Sequence, residues 1–99
     1  MGLALDADGK SVLVADFDNH AVRRVTMAGA VSTVAGNGEA GFADGEGAAA
    51  RFHSPTDVVV DRAGTIVVAD RDNHRLRKIV GGQVTTLAGG SEAGAADGA

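Results

Sequence analysis

The sequence contains no cysteine, no tryptophan and no tyrosine, and it has a single proline among its 99 residues. Without cysteine the chain can form neither a disulfide framework nor a thiolate metal site, and the sequence indicates no redox compartment. No apolar run approaches the length of a membrane span, and Met1 is followed directly by a strand-like segment instead of a secretory leader. We therefore expect a soluble protein without membrane contact, of unknown location.

Positive charge is also scarce, since 9 lysines and arginines against 13 acidic residues give a formal net charge of −4. This balance argues against a nucleic-acid surface. An RNA-binding alternative rests on a basic stripe, but only 3 phenylalanines are available to stack bases. We expect the stripe to lie away from the core and to form salt bridges with adjacent sheets. Its members are Arg23, Arg24, Arg75, Arg77 and Lys78.

Glycine is abundant, with 15 residues, and the chain repeats itself. The segment VADFDNHAVRRVTMAGAVSTVAG (14–36) returns as VADRDNHRLRKIVGGQVTTLAG (68–89). The period is about 54 residues, within the range of propeller and solenoid units. Further matches join Asp6 to Asp61, Thr33 to Thr86, and Gly41…Asp44-Gly45 to Gly94…Asp97-Gly98.

Each unit is predicted to be a meander of four antiparallel strands joined by glycine-containing or Asp/Asn-containing turns. The first two strands of each unit are apolar on both faces, so each sheet must be covered on both sides. Only 47–51 indicates a helix, so stacking of like sheets, the β-propeller, is the predicted fold. The strands are expected at 2–6, 11–15, 21–26 and 31–35, and at 57–61, 65–69, 75–80 and 84–88.

The residues resemble the NHL repeat along essentially the whole chain. Asn73-His74-Arg75-Leu76 stands very near the repeat's naming signature, and Asn19-His20-Ala21-Val22 is a weaker version without the arginine. The segment 47–55 is similar to the connector that leads into the next blade, with Phe52 expected to pack between blades. The resemblance implies a propeller, most often of six blades, whose members mainly bind proteins, RNA or small ligands. A few related propellers are amidating lyases or lactonases.

Two blades cannot close a ring. We expect blade 1 at 1–45, a connector at 46–55 and blade 2 at 56–99. Head-to-tail contacts between copies would close the ring, as a homotrimer with six blades or, alternatively, as a homotetramer with eight. A piece of a longer propeller is the third possibility, and a two-blade chain also fits an engineered or fragment-derived protein. Val59 and Leu87 are expected in the interblade core.

Polar residues recur in the turns between the second and third strands. A ring of carboxylates, amides and imidazoles could bind a cation or a polar ligand. Because the same residues occur in both units, structural roles are favoured: the carboxylates stabilise the turns, and the histidines pack or hydrogen-bond to the next blade. The residues are Asp16, Asn19 and His20 in the first unit, and Asp70, Asn73 and His74 in the second.

One feature is not repeated: His53, Ser54 and Asp57 follow the connector and should reach the same face as these turns. A histidine, a hydroxyl and a carboxylate near a central channel suit a ligand site or metal-assisted chemistry. We expect His53 and Asp57 to be candidate ligand-binding residues in a non-enzymatic, self-assembling binding module or scaffold without a cofactor. A metal-dependent lyase or lactonase, or an RNA-binding propeller, are the alternatives.

Overall fold

A computed structural model describes residues 2–7 and 9–89 as two antiparallel sheets. The first sheet has the order β1-β2-β3-β4, with β1 at Leu3–Leu5, β2 at Ser11–Asp16, β3 at Ala21–Thr26 and β4 at Val31–Gly36. The second has the order β5-β9-β8-β7-β6, with β5 at Gly45–Glu46, β6 at Pro55–Val60, β7 at Ile66–Asp70, β8 at Arg75–Val80 and β9 at Gln83–Gly89. The all-β prediction of two antiparallel meanders is confirmed.

The second sheet differs from the expectation by one strand. Gly45 pairs with Val84 and Glu46 pairs with Gln83, so the chain leaving the first meander adds β5 to the outer edge of the second. The segment 47–51, the one stretch with some helical pattern, forms only a single 3₁₀ turn at Gly47–Ala49. A positive φ at Gly47 precedes a run of only three alanines, too short to propagate an α-helix.

The two meanders have the same strand register. Leu3 lies opposite Val14 in the first sheet, as Val58 lies opposite Val68 in the second. The third and fourth strands even carry a bulge at the same place, after Val22 in one copy and after Leu76 in the other. The two sheets are therefore two copies of one structural unit, blade 1 and blade 2.

The turns between the second and third strands are short 3₁₀ helices, Phe17–Asn19 and Arg71–Asn73. Each ends at a histidine in the left-handed region, His20 with φ 51° and His74 with φ 55°. Histidine is among the residues that occupy this region more readily than most side chains. The two histidines before β3 and β8 therefore have a structural role, since each ends its turn in a left-handed backbone conformation.

The core lies between the two sheets. Alternate residues of β2 are buried, and so are alternate residues of β7, as expected when each sheet covers the other with one face. Phe52 from the connector is fully buried in the same cluster, as predicted. Burying each large apolar side chain contributes about 1.5–3 kcal/mol. The cluster includes Leu13, Ala15, Val22, Val58, Ile66, Val68, Ile79 and Val84.

Each sheet also has an outward face that is rich in exposed apolar side chains. On blade 1 this face, the first outer face, carries Leu3, 65% exposed, and Val31, 61% exposed. On blade 2 the second outer face carries Val59, 60% exposed, together with Leu76 and Leu87. Monomeric proteins rarely expose large contiguous apolar patches to solvent.

Within the residues described, no helix is long and apolar enough to span a bilayer. The repeat motif Gly94…Asp97-Gly98 and the end of the predicted second unit lie outside the described residues.

Candidate binding face and its buried ion pair

The turn at 16–20 of blade 1 is held by one carboxylate. Asp16 Oδ2 accepts a hydrogen bond from Asn19 Nδ2 at 2.9 Å and another from Arg23 Nε at 2.8 Å. Arg23 Nη1 also donates to Thr33 Oγ1 at 3.0 Å, on the neighbouring strand β4. The repeated Asp and Asn therefore fix the turn to the third strand through side-chain donors.

The same arrangement occurs in blade 2, where it is more deeply buried. Asp70 Oδ2 accepts from Asn73 Nδ2 at 2.8 Å and from Arg77 Nη1 at 2.7 Å, while Asp70 Oδ1 accepts from the backbone N–H of His53 at 2.7 Å. The side chains of Asp70 and Arg77 are both fully buried. A buried pair of this kind is costly to break, because the remaining charge loses its partner away from water.

The connector encloses Arg77. Its Nη2 donates to Ala43 O at 2.7 Å and to Asp44 Oδ1 at 2.9 Å, and its Nη1 donates to Arg51 O at 2.9 Å. The guanidinium carbon also lies 4.6 Å from the centre of the Phe42 ring. The expectation that the basic strands lie away from the core is wrong for Arg77, because its two terminal amino groups donate to two backbone carbonyls and two carboxylates. Its buried Nε–H has no hydrogen-bond partner among the described residues.

Asp44 joins this arginine to the edge strand. Thr86 Oγ1, on β9, donates to Asp44 Oδ1 at 3.0 Å. Directly after Asp44 the chain enters β5 and pairs with β9. One carboxylate therefore positions the connector against both β8 and β9, and this orients the second blade relative to the first.

The matching site on blade 1 is open. Arg23 and Thr33 occupy the positions of Arg77 and Thr86, but the Arg23 side chain is 31% exposed where that of Arg77 is fully buried. Both residues line a pocket of about 310 Å³, which Gly36 and Asn37 also border. Blade 1 thus presents an accessible guanidinium and a hydroxyl beside its edge strand.

The other basic residue of β3 pairs inside its own blade. Arg24 Nε binds Asp6 Oδ2 at 2.9 Å, and Ser11 Oγ donates to the same oxygen at 3.2 Å. The predicted salt bridges to adjacent sheets are therefore wrong for Arg23 and Arg24, whose carboxylate partners both lie in blade 1. Blade 1 therefore neutralises Arg23 and Arg24 with its own carboxylates.

Two carboxyl groups of blade 1 have lowered pKa values. For Asp16, burial raises the pKa, but hydrogen bonds from Asn19 and Arg23 and the charge of Arg23 outweigh it, so the pKa falls below 3.8. For Asp6, burial again raises the pKa, and the backbone N–H of Ala7, the charge of Arg24 and the Ser11 hydroxyl lower it further than burial raises it. Both groups are stabilised in their charged form.

The histidines of the face meet near the connector. His20 Nδ1 accepts a hydrogen bond from the backbone N–H of Ser54 at 3.0 Å, and its ring lies edge-on to the His53 ring with centres 5.5 Å apart. His53 Nε2 is 3.7 Å from Asp72 Oδ2. His20 thus links blade 1 to the connector that enters blade 2, while His74, its counterpart, is exposed.

Asp57 stands apart from this group. It lies in β6 opposite Ala69, and it borders an apolar pocket of about 160 Å³ with Val59 and Leu76. Among residues 2–7 and 9–89, no hydrogen bond or ion pair joins Asp57 to His53, and no three His, Asp or Glu side chains are close enough to hold a metal ion. The structure brings His53 to the turns and places Asp57 at the edge of the second outer face.

Sequence reasoning missed two important residues, Asp44 and Arg77. A signal was present, because an arginine recurs at positions 23 and 77 while its neighbours vary, and an Asp-Gly pair recurs after each unit. Local periodicity does not reveal that the Asp of one unit reaches the arginine of the next, since the two residues are far apart in sequence.

Comparison with known proteins agrees with this architecture. A family model described as the NHL repeat matches residues 52–79. NHL repeat-containing protein 2 of Gallus gallus is 33% identical over 77 residues, and the protein SUPPRESSOR OF QUENCHING 1, chloroplastic, of Arabidopsis thaliana is 31% identical over 80 residues. These alignments cover 78% and 80% of this chain, but only 10% and 8% of the two relatives.

Solved structures superpose on both blades. An auxiliary nutrient binding protein from Bacteroides thetaiotaomicron matches with a TM-score of 0.75 at 25% identity, over 88% of this chain and 25% of that one. A protein of the same description from Bacteroides ovatus matches with a TM-score of 0.74 at 26% identity, over 88% of this chain and 25% of its own. The chain therefore spans about a quarter of the length of these neighbours.

Two equivalent antiparallel sheets, stacked through one face and joined by an edge-strand connector, are the blades of a β-propeller. Residues 52–79 match the NHL repeat, and the two sheets have the fold of NHL-type propeller blades.

Proposed function

We propose that copies of this chain associate head to tail into a closed β-propeller, a trimer with six blades or alternatively a tetramer with eight, which serves as a non-enzymatic binding module. The observation that carries the proposal is the correspondence between the exposed and the buried faces. The residues exposed on the first outer face of blade 1 are equivalent in the repeat to the residues through which blade 2 packs on blade 1. In the same way, the residues exposed on the second outer face of blade 2 are equivalent to the residues through which blade 1 packs on blade 2.

Individual residues support this correspondence. Leu3 and Val31 are exposed, yet their counterparts Val58 and Val84 are buried between the sheets. Leu76 is exposed on the second outer face, and its counterpart Val22 is fully buried. The chain therefore carries both halves of an interface that it already forms once internally, and repeating that interface joins unlike faces of successive copies.

The binding role is supported by the face that carries the turns at 17–19 and 71–73 together with His53. In a closed ring this face repeats around the axis, so each copy would contribute the His20, His53 and Asp72 side chains to one mouth. The nutrient-binding description of the Bacteroides neighbours suits such a mouth. A small polar ligand is the class that imidazole and carboxylate groups would recognise.

The non-enzymatic role is supported by the way the two turn carboxylates are used. Both oxygens of Asp70 accept hydrogen bonds from the chain itself, and Asp16 is held by Asn19 and Arg23. Carboxylates held in this way have a structural role.

A metal-dependent lyase or lactonase would contain a stoichiometric metal, and elemental analysis of the purified protein measures it. One metal ion per ring, lost with activity on chelation, would overturn the non-enzymatic proposal.

Mixing two variants tests the head-to-tail assembly. Val59→Asp blocks the second outer face, and Val31→Asp blocks the first, because a charge is buried in each interface. Each variant alone is expected to be a folded monomer, whereas an equimolar mixture forms a one-to-one dimer through the two intact faces. An isologous contact would instead let one of the variants dimerise by itself, and that result contradicts the proposal. Val59→Ala and Val31→Ala are the matched controls and retain the ring.

A further inference from the structure

We propose that residues 94–98 of one copy complete the Arg23 site of the next copy, with Asp97 acting there as Asp44 acts at Arg77. This inference rests on the proposed ring and assigns the chain segment that seals each junction. The evidence comes from the internal junction, where the corresponding segment, 41–45, leaves blade 1 and docks on blade 2.

The docking segment and its repeat have related sequences. Residues 41–45 read Gly-Phe-Ala-Asp-Gly and residues 94–98 read Gly-Ala-Ala-Asp-Gly. At the internal junction Ala43 supplies a carbonyl to Arg77, and Asp44 supplies a carboxylate to Arg77 and Thr86. Both chemical groups are present in the repeat, as Ala96 and Asp97.

The receiving site is present on blade 1. Its guanidinium and hydroxyl, from Arg23 and Thr33, line the pocket of about 310 Å³, and β4 is the outer edge strand of its sheet. In blade 2 the equivalent edge strand, β9, is paired with β5. A carboxylate entering the pocket would meet a positive charge and a hydroxyl donor, the partners that Asp44 has at the internal junction.

The single difference between the motifs is matched by a difference between the sites. Phe42 stacks on Arg75, with the guanidinium carbon 4.2 Å from the ring centre. Ala95 takes the place of Phe42, and Ala21 takes the place of Arg75 in blade 1. Phe42 contacts two guanidinium groups, those of Arg75 and Arg77, and an alanine at position 21 removes the counterpart of the nearer one. An aromatic ring would therefore gain less on blade 1, and a small residue in the docking segment suits it.

The direction of the chain favours a second copy as the donor. Residues 37–44 carry the chain from the end of blade 1 forward onto blade 2. If the segment after β9 takes the same step, it would leave blade 2 on the side away from blade 1, toward the blade of the next copy. The chain's own tail would have to reverse this direction to reach Arg23.

A cysteine experiment tests the contact, because the sequence has no native cysteine. Glu46 and Gln83 are paired at the internal junction, and their counterparts are Ala99 and Ala30. Chains carrying only Ala99→Cys are mixed with chains carrying only Ala30→Cys and are oxidised mildly. Paired strand positions are within disulfide distance, so a covalent dimer containing one chain of each kind is expected.

Two controls calibrate the result. Glu46→Cys with Gln83→Cys in one chain reports the efficiency of crosslinking at the internal junction. Ala99→Cys mixed with Arg62→Cys, an exposed position in a turn of blade 2, reports random collision. The proposal predicts a crosslinking yield near that of the first control. Adding Asp97→Ala to the Ala99→Cys chain is expected to weaken the affinity between copies at least about tenfold, since a hydrogen-bonded charge is lost.

The outcomes separate this inference from the proposed ring. If native mass shows a ring but the mixed chains crosslink no better than the collision control, the ring stands and the assignment of residues 94–98 is overturned. If the protein is monomeric, both fail. If Ala30→Cys and Ala99→Cys in one chain form an intramolecular disulfide in a monomer, the tail docks in cis, which also overturns the assignment to a second copy.

Discussion

Arg77 donates to Asp44 at 2.9 Å, and this bond ties the connector between the blades to the blade that follows it. The same carboxylate accepts from Thr86, so removal of one side chain releases the connector from two strands. Asp44→Ala is expected to lower the free energy of unfolding by about 1–3 kcal/mol, because a charged hydrogen-bond partner of a buried guanidinium is lost. Urea unfolding at a fixed chain concentration measures the change.

Asp18→Ala is the matched control for Asp44→Ala. Asp18 is an exposed carboxylate without a hydrogen bond or ion pair among the described residues, and its removal makes the same change in net charge. It should change the free energy of unfolding by less than about 0.5 kcal/mol. Equal effects of the two substitutions would show that charge alone, and not the connector contact, determines the loss.

The two copies of the turn carboxylate should differ in importance. Asp70→Ala leaves the buried Arg77 guanidinium without this carboxylate partner, and we expect the free energy of unfolding to fall by about 3–5 kcal/mol. Asp16→Ala affects a partly exposed pair, and we expect about 0–1 kcal/mol. Comparing the two free energies of unfolding in one protein, with the same chemical change at equivalent positions, isolates the effect of burial. A loss at Asp16 as large as that at Asp70 would contradict this explanation.

Stability should fall in acid because the pKa values of Asp6 and Asp16 are lowered in the folded chain. A carboxyl group with a depressed folded pKa adds stability above its unfolded pKa, and this is lost as the pH falls through the folded value. The free energy of unfolding should therefore decline between about pH 5 and about pH 2. Asp6→Asn with Asp16→Asn should reduce the slope of that decline, and an unchanged slope would contradict the assignment.

Leu87→Asp should abolish assembly and leave the blades folded. Leu87 is exposed on the second outer face, so a charge there costs the single chain little but is buried when another copy docks. Met27→Asp is the control, since Met27 is exposed in the turn between β3 and β4. Circular dichroism and light scattering report folding and mass together. A Leu87→Asp protein that keeps the parental mass would place Leu87 outside the interface.

Much of the fold is predictable from the sequence for physical reasons. Apolar strands, Asp/Asn turns and glycine hairpins act locally, so the strand positions and their order follow from the residues between Ser11 and Gly36 and from their repeat. The connector strand β5 does not follow, because Gly45 and Glu46 have weak strand propensity and pair through a contact distant in sequence. The burial of Arg77 was missed for the same reason: its partners come from the preceding unit.

The candidate site was predicted only in part. The turn residues recur at equivalent places, and His53 does reach them through its backbone N–H, which binds Asp70. The sequence places Asp57 on the same face as His53 and the turns, whereas in the structure it borders the apolar pocket of the second outer face, after a register shift between Pro55 and Asp57. A position next to a turn indicates which end of the sheet a residue occupies, whereas the face depends on the register of the strand.

The native mass of the purified chain tests the central claim most directly. Mass spectrometry under native conditions, over a range of chain concentrations, is expected to show three copies per particle and six blades, or four copies in the alternative ring. A folded monomer at all concentrations, with both outer faces exposed to solvent, would contradict assembly through repetition of the internal interface.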